Sequence, residues 1–334
     1  MRAINVCPAL LMEGYTTYSP KAARSLFDGQ KVSPWLDFNV EDDMQTEQVQ
    51  ANMQNLSISG AQEKLAAVID AGHIRLALEG EQSTHILKPA PIDVISLRKQ
   101  IPMNEHLTMQ IANQVYGIQT AANGLCFSKD GQPVYITRRF DVQPDGSKLG
   151  QEDFCSLIGR TEQTDGENFK YEGAYEDIAN AIHQYVPAWM PAMERFFQLV
   201  LFNYIYANGD AHLKNFSVLY TKEGEPMLAP AYDLINTFVH IKGSDLALTE
   251  GLSRTLQPSD SMERTGHPCQ DDFRRFGALI GLPAKRVERM LNQFMEFPPL
   301  VNQLIQNAYF FDDSTRRKYQ RIIEERRSRF VRKA

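Results

Sequence analysis

Cysteine is scarce and scattered in this 334-residue chain: Cys7, Cys126, Cys155 and Cys269 stand far apart and form no CxxC pair. That spacing excludes a cysteine-based zinc site and a disulfide framework, and it fits a reducing, cytoplasmic setting. Long apolar runs are missing too. None approaches the roughly 18 residues of a membrane-spanning helix, so no membrane partner is expected. A basic excess is also absent: 35 Lys and Arg stand against 41 Asp and Glu, a formal net charge of −6. Direct binding to nucleic acid is therefore not expected. The N-terminus carries one Arg and the short apolar stretch Ala9–Met12, followed at once by Glu13. Without a long apolar centre or a small-residue cleavage site, it does not read as a signal peptide. There is no internal repeat and no low-complexity segment.

What is present is an ordinary globular composition, 43% hydrophobic and 23% charged, on a chain long enough for two lobes with a core each. The first 50 residues look irregular, with Pro8, Pro20, Pro34 and the acidic run Glu41–Asp43. From Leu56 onward the pattern becomes strand-like. The stretch up to Ile69, then Ile74–Leu78 and Thr84–Lys88, read as strands of one antiparallel sheet with turns at Ala71-Gly72 and Glu79-Gly80. Leu107, Ile111 and Val115 predict a helix over Met103–Tyr116 that Gly117 stops. Two more strands follow, Ala122–Ser128 and Pro133–Phe140, around Asp130-Gly131. The second half reads as helices: Gln151–Ile158, Tyr175–Gln184, the nearly all-apolar Ala192–Tyr206, Asp271–Ile280, Pro283–Met295 and Leu300–Ala308. A basic, exposed helix over Tyr319–Val331 ends the chain. A strand Phe216–Tyr220 and a short strand ending at Asp233 interrupt them. The expected fold is therefore α+β, a bilobal protein-kinase-like arrangement. Residues 1–140 form a β-rich N-terminal lobe, and residues 141–334 form an α-helical C-terminal lobe.

Three places carry residues for phosphoryl transfer, which needs positioned phosphates, a divalent metal and a carboxylate that orients the attacking hydroxyl. The first is Asp210-Ala-His-Leu-Lys-Asn215, with the Asp-x-x-x-x-Asn spacing of a kinase catalytic loop. Asp210 would take the acceptor proton, and the Asn215 amide oxygen would bind Mg²⁺, which prefers oxygen ligands. The second is Asp233, one hairpin further on, a second carboxylate for the same metal. Asp210 alone reads as a turn residue, and His212 alone as a hydrogen-bonded loop histidine; the joint pattern with Asn215 and Asp233 points to a site. The third is Ser57-Ile-Ser-Gly-Ala-Gln-Glu-Lys64, whose small residues and amides suit phosphates although it is no Walker A loop. Strand-end Lys88 joins it, with Glu105 on the following helix as its partner. A lone strand-end Lys is ordinarily solvated.

Together with Ile86-Leu-Lys-Pro89, Asn104-Glu105, Thr137–Asp141, Asn208–Ser217 and Ala231–Leu234, these stretches resemble the HipA-like serine/threonine kinases of bacterial toxin–antitoxin systems, in order and over about residues 50 to 310. The resemblance implies ATP and Mg²⁺ as cofactors and a role for each matching residue. Asp210 corresponds to the catalytic base, Asn215 and Asp233 to the metal ligands, and Lys88 to the ATP-phosphate lysine. Ser59, Gly60, Ala61, Gln62, Glu63 and Lys64 correspond to the phosphate loop, and Arg138, Arg139 and Phe140 to the hinge that borders the adenine; His212 reads, from its place in the loop alone, as a residue that orders the loop or touches phosphate. The family's inhibitory autophosphorylation site falls on Ser57, and Ser59 offers a second hydroxyl. HipA carries a further N-terminal subdomain ahead of this loop, whereas 56 residues precede Ser57 here. In that respect the chain looks like the HipT type of HipBST systems. The resemblance then implies a HipS-like small antitoxin, a HipB-like antitoxin through which alone DNA is met, and tryptophanyl-tRNA synthetase as the protein substrate. The other readings of these motifs are a small-molecule kinase of the aminoglycoside or lipid type, and a non-catalytic antitoxin-binding scaffold.

Overall fold

The computed structural model describes residues 3–40, 64–91, 96–308 and 310–331. The chain divides into two compact units. The first comprises Met1–Ile111, Thr120–Lys148 and Leu300–Arg316; the second comprises Ala112–Gln119, Leu149–Pro299 and Arg317–Ala334.

The first unit is built on a five-stranded antiparallel sheet: β1 (Leu65–Asp70), β2 (His73–Leu76), β3 (His85–Lys88), β4 (Asn123–Phe127) and β5 (Pro133–Arg138), in the order β2-β1-β3-β5-β4. The Ala71-Gly72 turn joins β1 to β2 with both residues at positive φ, the geometry that suits a right-twisted two-residue hairpin. The N-terminal residues are less irregular than their prolines imply. Ser19 caps a helix, α1 (Pro20–Phe27), accepting from the Ala22 N–H at 3.2 Å, and Pro20 stands in its first turn, where no N–H partner is needed. Cys7, Ala9, Tyr18, Leu26, Phe27, Val32 and Leu36 share one core with Leu65, Ala67, Leu87 and Ile136 of the sheet. Helix α2 (Ile101–Gln114) carries the expected apolar face, with Leu107 and Ile111 fully buried. The late segment Leu300–Arg316 belongs to this unit because Asn307 donates to the Leu11 carbonyl at 2.9 Å and the Phe310 ring lies 4.5 Å from that of Phe127.

Two buried histidines of this unit carry a pH signature. His85 Nε2 meets the Leu26 carbonyl and His106 Nε2 the Ala9 carbonyl, each at 2.8 Å, and burial lowers both pKa values from 6.5 to about 4. Between pH 6.5 and about 4 the unfolded chain takes up protons that the folded unit refuses. Stability is therefore full above pH 6.5 and falls as the pH drops through that window. Urea midpoints at neutral and acidic pH check this: His106→Gln, whose amide can still meet the Ala9 carbonyl, should remove about 3 kcal/mol of the acid-induced loss. An unchanged loss in the variant would show that His106 titrates normally.

The second unit is mainly helical: α3 (Phe154–Leu157), α4 (Tyr175–Tyr185), α5 (Trp189–Ile205), α6 (Gln270–Leu279), α7 (Ala284–Gln293) and α9 (Asp313–Phe330), with α8 (Pro299–Asn307) running from one unit into the other. A small sheet pairs β6 (Gln151–Asp153) with β7 (Ser217–Tyr220) and β7 with β8 (Pro226–Leu228). The helix expected over Gln151–Ile158 is thus a strand followed by one helical turn. Gln151 to Asp153 pair with Leu219 to Ser217, and Asp153 then caps α3 by accepting from the Ser156 N–H at 2.8 Å. Helix α5 is the core element. Phe196, Phe197, Val200, Leu201, Phe202, Tyr204 and Ile205 are all fully buried, each worth roughly 1.5–3 kcal/mol of apolar burial. It begins three residues before the expected start because Pro191 falls in the first turn, where a missing N–H costs nothing. The C-terminal helix α9 is not an exposed one. Tyr319, Ile323 and Phe330 are buried along one face, and so is Arg326, whose guanidinium lies 4.4 Å from the Phe238 ring centre and pairs with Asp245.

Candidate functional site

In the first unit the expected phosphate-binding lysine is held in an ion pair. Lys88 at the end of β3 lies opposite Tyr135 of β5 in the sheet register, and its ammonium sits 5.4 Å from that ring's centre. Its Nζ meets Glu105 Oε1 of α2 at 2.6 Å, with the two side chains only 5% and 3% exposed. The lysine–glutamate pair expected from sequence is therefore present as a buried ion pair. Arg138 and Arg139 direct their guanidiniums to structural carboxylates. Arg138 bonds Asp28 at 2.5 Å, and Arg139 forks onto Asp141 at 3.0 and 2.6 Å while donating to Ser83 at 2.9 Å. Phe140 beside them is half-buried. Lys64 is half-buried just before β1, whereas Ser57, Ser59, Gly60, Ala61, Gln62 and Glu63 lie outside the described residues.

In the second unit the loop after α5 is held residue by residue. Asn208 is buried and donates to Asn203 Oδ1 at 3.0 Å and to the Asp233 carbonyl at 3.4 Å, while its own Oδ1 accepts from the Asp210 N–H at 3.3 Å. Gly209 donates its N–H to Thr237 Oγ1 at 3.0 Å, and a Cβ there would stand 2.9 Å from the Ser244 carbonyl oxygen. Only glycine lets the loop pass so close to that backbone. The Asp210 carbonyl accepts from Asn215 Nδ2 and from the His212 N–H, both at 2.8 Å. That bond assigns the Asn215 amide nitrogen to the loop and leaves its oxygen as the atom for a cation. Asp233 follows β8 at φ +55, a left-handed conformation that Asp tolerates better than most residues. It is half-buried, and its neighbour Tyr232 straps it to the loop by donating to the Lys214 carbonyl at 2.8 Å and by a bond to Ser217.

His212 is 4% exposed, its Nδ1 has no hydrogen-bond partner among the described residues, and its ring meets that of Tyr171 edge-on at 5.0 Å. Burial lowers its pKa to about 4, which outweighs the raising influence of the Asp210 and Asp233 carboxylates. The imidazole is therefore neutral at pH 7 and suited to hydrogen bonding rather than to carrying charge. The Asn215 amide oxygen and the Asp233 carboxylate are hard oxygen donors, the type Mg²⁺ takes when substrate phosphates and waters complete its shell. Among the described residues, no group of three or more His, Cys, Asp or Glu side chains is arranged to hold a metal, and no helix is long and apolar enough to cross a membrane.

Two contacts lay outside the sequence motifs. The Tyr171 hydroxyl donates to Asp210 Oδ1 at 2.6 Å, and the Tyr175 hydroxyl donates to the Ala211 carbonyl at 2.9 Å. Both tyrosines come from a segment about 35–40 residues upstream, where no spacing rule links them to the loop.

The same architecture occurs in solved kinase-like structures. Shewanella oneidensis HipA, in its complex with HipB and operator DNA, matches with a TM-score of 0.63 at 20% identity over 83% of this chain and 65% of that one. The Helicobacter pylori proinflammatory kinase CtkA matches at 0.51 and 15% identity, over 79% of this chain and 93% of that one. At such identities the likeness is one of fold, and the α+β, protein-kinase-like class expected from sequence is the class observed. By sequence, the HipA-like C-terminal domain matches residues 56–298, and the chain belongs to that family. A Haemophilus influenzae protein named "Putative kinase" is 27% identical over 326 residues, 92% of each chain. A Sinorhizobium fredii protein named "Putative kinase Y4mE" is 30% identical over 240 residues, 69% of this chain and 53% of that protein. The chain thus spans about half the length of the second relative and nearly all of the first.

Proposed function

We propose that the chain is an Mg·ATP-dependent protein serine/threonine kinase that serves as the toxin of a toxin–antitoxin pair. The observation that carries this reading is the Asp210–Asn215 loop, in which the backbone of the Asp fixes the amide of the Asn five residues on. Asp210 would accept the proton of an acceptor hydroxyl as that oxygen attacks the γ-phosphorus and the bond to the ADP oxygen breaks. Asn215 and Asp233 would hold the Mg²⁺, which when bound neutralises charge on the phosphates. Lys88, oriented by Glu105, would bind the ATP phosphates, His212 would contact them as a neutral donor, and the Arg138–Phe140 stretch would border the adenine. The Ser59–Lys64 segment would complete the phosphate site.

The finer reading follows from the resemblance to the HipT type and not from the motifs of the loop. The protein substrate is an aminoacyl-tRNA synthetase, the tryptophanyl enzyme by resemblance to the HipT type. The partners are a HipS-like small antitoxin and a HipB-like DNA-binding antitoxin, and the setting is the cytoplasm. Phosphate on Ser57 or Ser59 would add about −1.5 to −2 charges where ATP phosphates must sit, switching the kinase off. The purified protein with Mg·[γ-³²P]ATP and tryptophanyl-tRNA synthetase is expected to label a serine of the synthetase and Ser57 or Ser59 of itself, located by mass spectrometry. Label on a small acceptor alone would favour a small-molecule kinase. Label on nothing, with nucleotide still bound, would favour a non-catalytic scaffold.

A further inference from the structure

Asp210 sits on a loop, and an aspartate side chain on a loop has several rotamers open to it. A general base must nevertheless stand within about 2.6–3.2 Å of the proton it removes, so something has to hold the carboxylate. The side-chain contact that does so comes from Tyr171, whose hydroxyl donates to Oδ1 at 2.6 Å. Tyr171 is itself anchored. Its N–H donates to the Asn168 carbonyl at 2.8 Å, and its carbonyl accepts from the Thr249 N–H at 2.9 Å. Two residues on, Gly173 donates to Thr249 Oγ1 at 3.2 Å and accepts from the Glu250 N–H at 2.9 Å. Its φ of +110 and the atoms around it leave no room for a side chain, since a Cβ would lie 2.5 Å from Asp177 Oδ2. That carboxylate is clamped in turn by Arg254 at 2.6 and 2.8 Å. Tyr175 then grips the next loop residue through the Ala211 carbonyl at 2.9 Å. One braced segment therefore holds the side chain of Asp210 and the backbone of Ala211 together.

The geometry points to Tyr171 as the positioning residue of the Asp210 carboxylate, an inference that rests on the kinase reading of this loop. With Oδ1 engaged by the phenol, the carboxylate is turned so that Oδ2 is the oxygen for the acceptor hydroxyl. A phenol suits the task because burial and the adjacent carboxylate raise its pKa, so it remains a donor at every working pH. The ring also packs edge-on against His212, tying the base to the neutral imidazole two residues on.

The test compares wild type, Asp210→Asn and Tyr171→Phe as full-length proteins with Mg·ATP and the same protein acceptor. Wild-type transfer that Asp210→Asn abolishes upholds the kinase reading independently of Tyr171; no wild-type transfer overturns both. Tyr171→Phe is then expected to lower kcat about 10- to 100-fold, the scale of a misplaced reacting group. KM for ATP and for the acceptor should stay within about twofold, and the melting temperature within about 2 °C. A rise in kcat would make Tyr171 a competitor of the acceptor hydroxyl, and an unchanged kcat would make the contact incidental. A fall in activity that tracks a lowered melting temperature would make it structural. Each of these three results overturns the assignment.

Discussion

Asp210→Asn is expected to lower phosphoryl transfer by about 10²- to 10⁴-fold without loosening the fold. The two halves of that statement rest on different atoms. The loop is organised through the Asp210 backbone: its N–H bonds Asn208 Oδ1, and its carbonyl accepts from Asn215 and from His212. An asparagine keeps all of these, and its side-chain oxygen can still accept from Tyr171. What it lacks is the negative charge and a place for the acceptor's proton. A thousandfold loss corresponds to about 4 kcal/mol of transition-state stabilisation, whereas the isosteric change should move the melting temperature by no more than about 2 °C. Single-turnover transfer with Mg·ATP, beside a thermal melt, separates the two. A variant that keeps more than a tenth of the rate would show that another group receives the proton.

How legible this was from sequence varies with how local each feature is. Asp210, Asn215 and Asp233 stand out because a fixed spacing within one loop and one hairpin is enough to mark them. The pairing of Lys88 with Glu105 was legible for a similar reason, as a strand end followed by the next helix. Helix α1 was missed although its signal was present: Ser19 before Pro20 is a cap followed by a first-turn proline. The strand at Gln151–Asp153 was not readable locally, because its state is decided by a partner strand some 65 residues later. Helix α9 was misjudged for a different reason. Tyr319, Ile322, Ile323, Arg326 and Phe330 make a buried stripe at helical spacing, but an arginine in the stripe breaks its apolar signature. That arginine is accommodated by aromatic faces and Asp245, which no window of sequence reveals. Tyr171 belongs to the same class. Its importance lies in a contact 39 residues away, and only the fold brings the hydroxyl to the carboxylate.

Glu105→Ala is expected to destabilise the first unit by about 3–5 kcal/mol, because it removes the carboxylate that pairs with a buried ammonium. Lys88 and Glu105 are 5% and 3% exposed and meet at 2.6 Å, so water cannot replace the lost carboxylate without opening the sheet against α2. For a chain of this size such a loss corresponds to a melting temperature lower by about 10 °C. Glu105→Gln, which keeps an acceptor but not the charge, should fall between Ala and wild type. The informative comparison is with Lys88→Met combined with Glu105→Leu. Replacing both charges by apolar groups of similar volume is often neutral for stability, so the double variant should recover most of the melting temperature. Phosphate transfer should not recover with it, since the ammonium that would face the ATP phosphates is gone. If the pair served the fold alone, the double variant would regain transfer as it regains stability. A stable protein that still fails to bind Mg·ATP would place the function of the pair in Lys88 itself, with Glu105 as the group that makes a buried lysine tolerable.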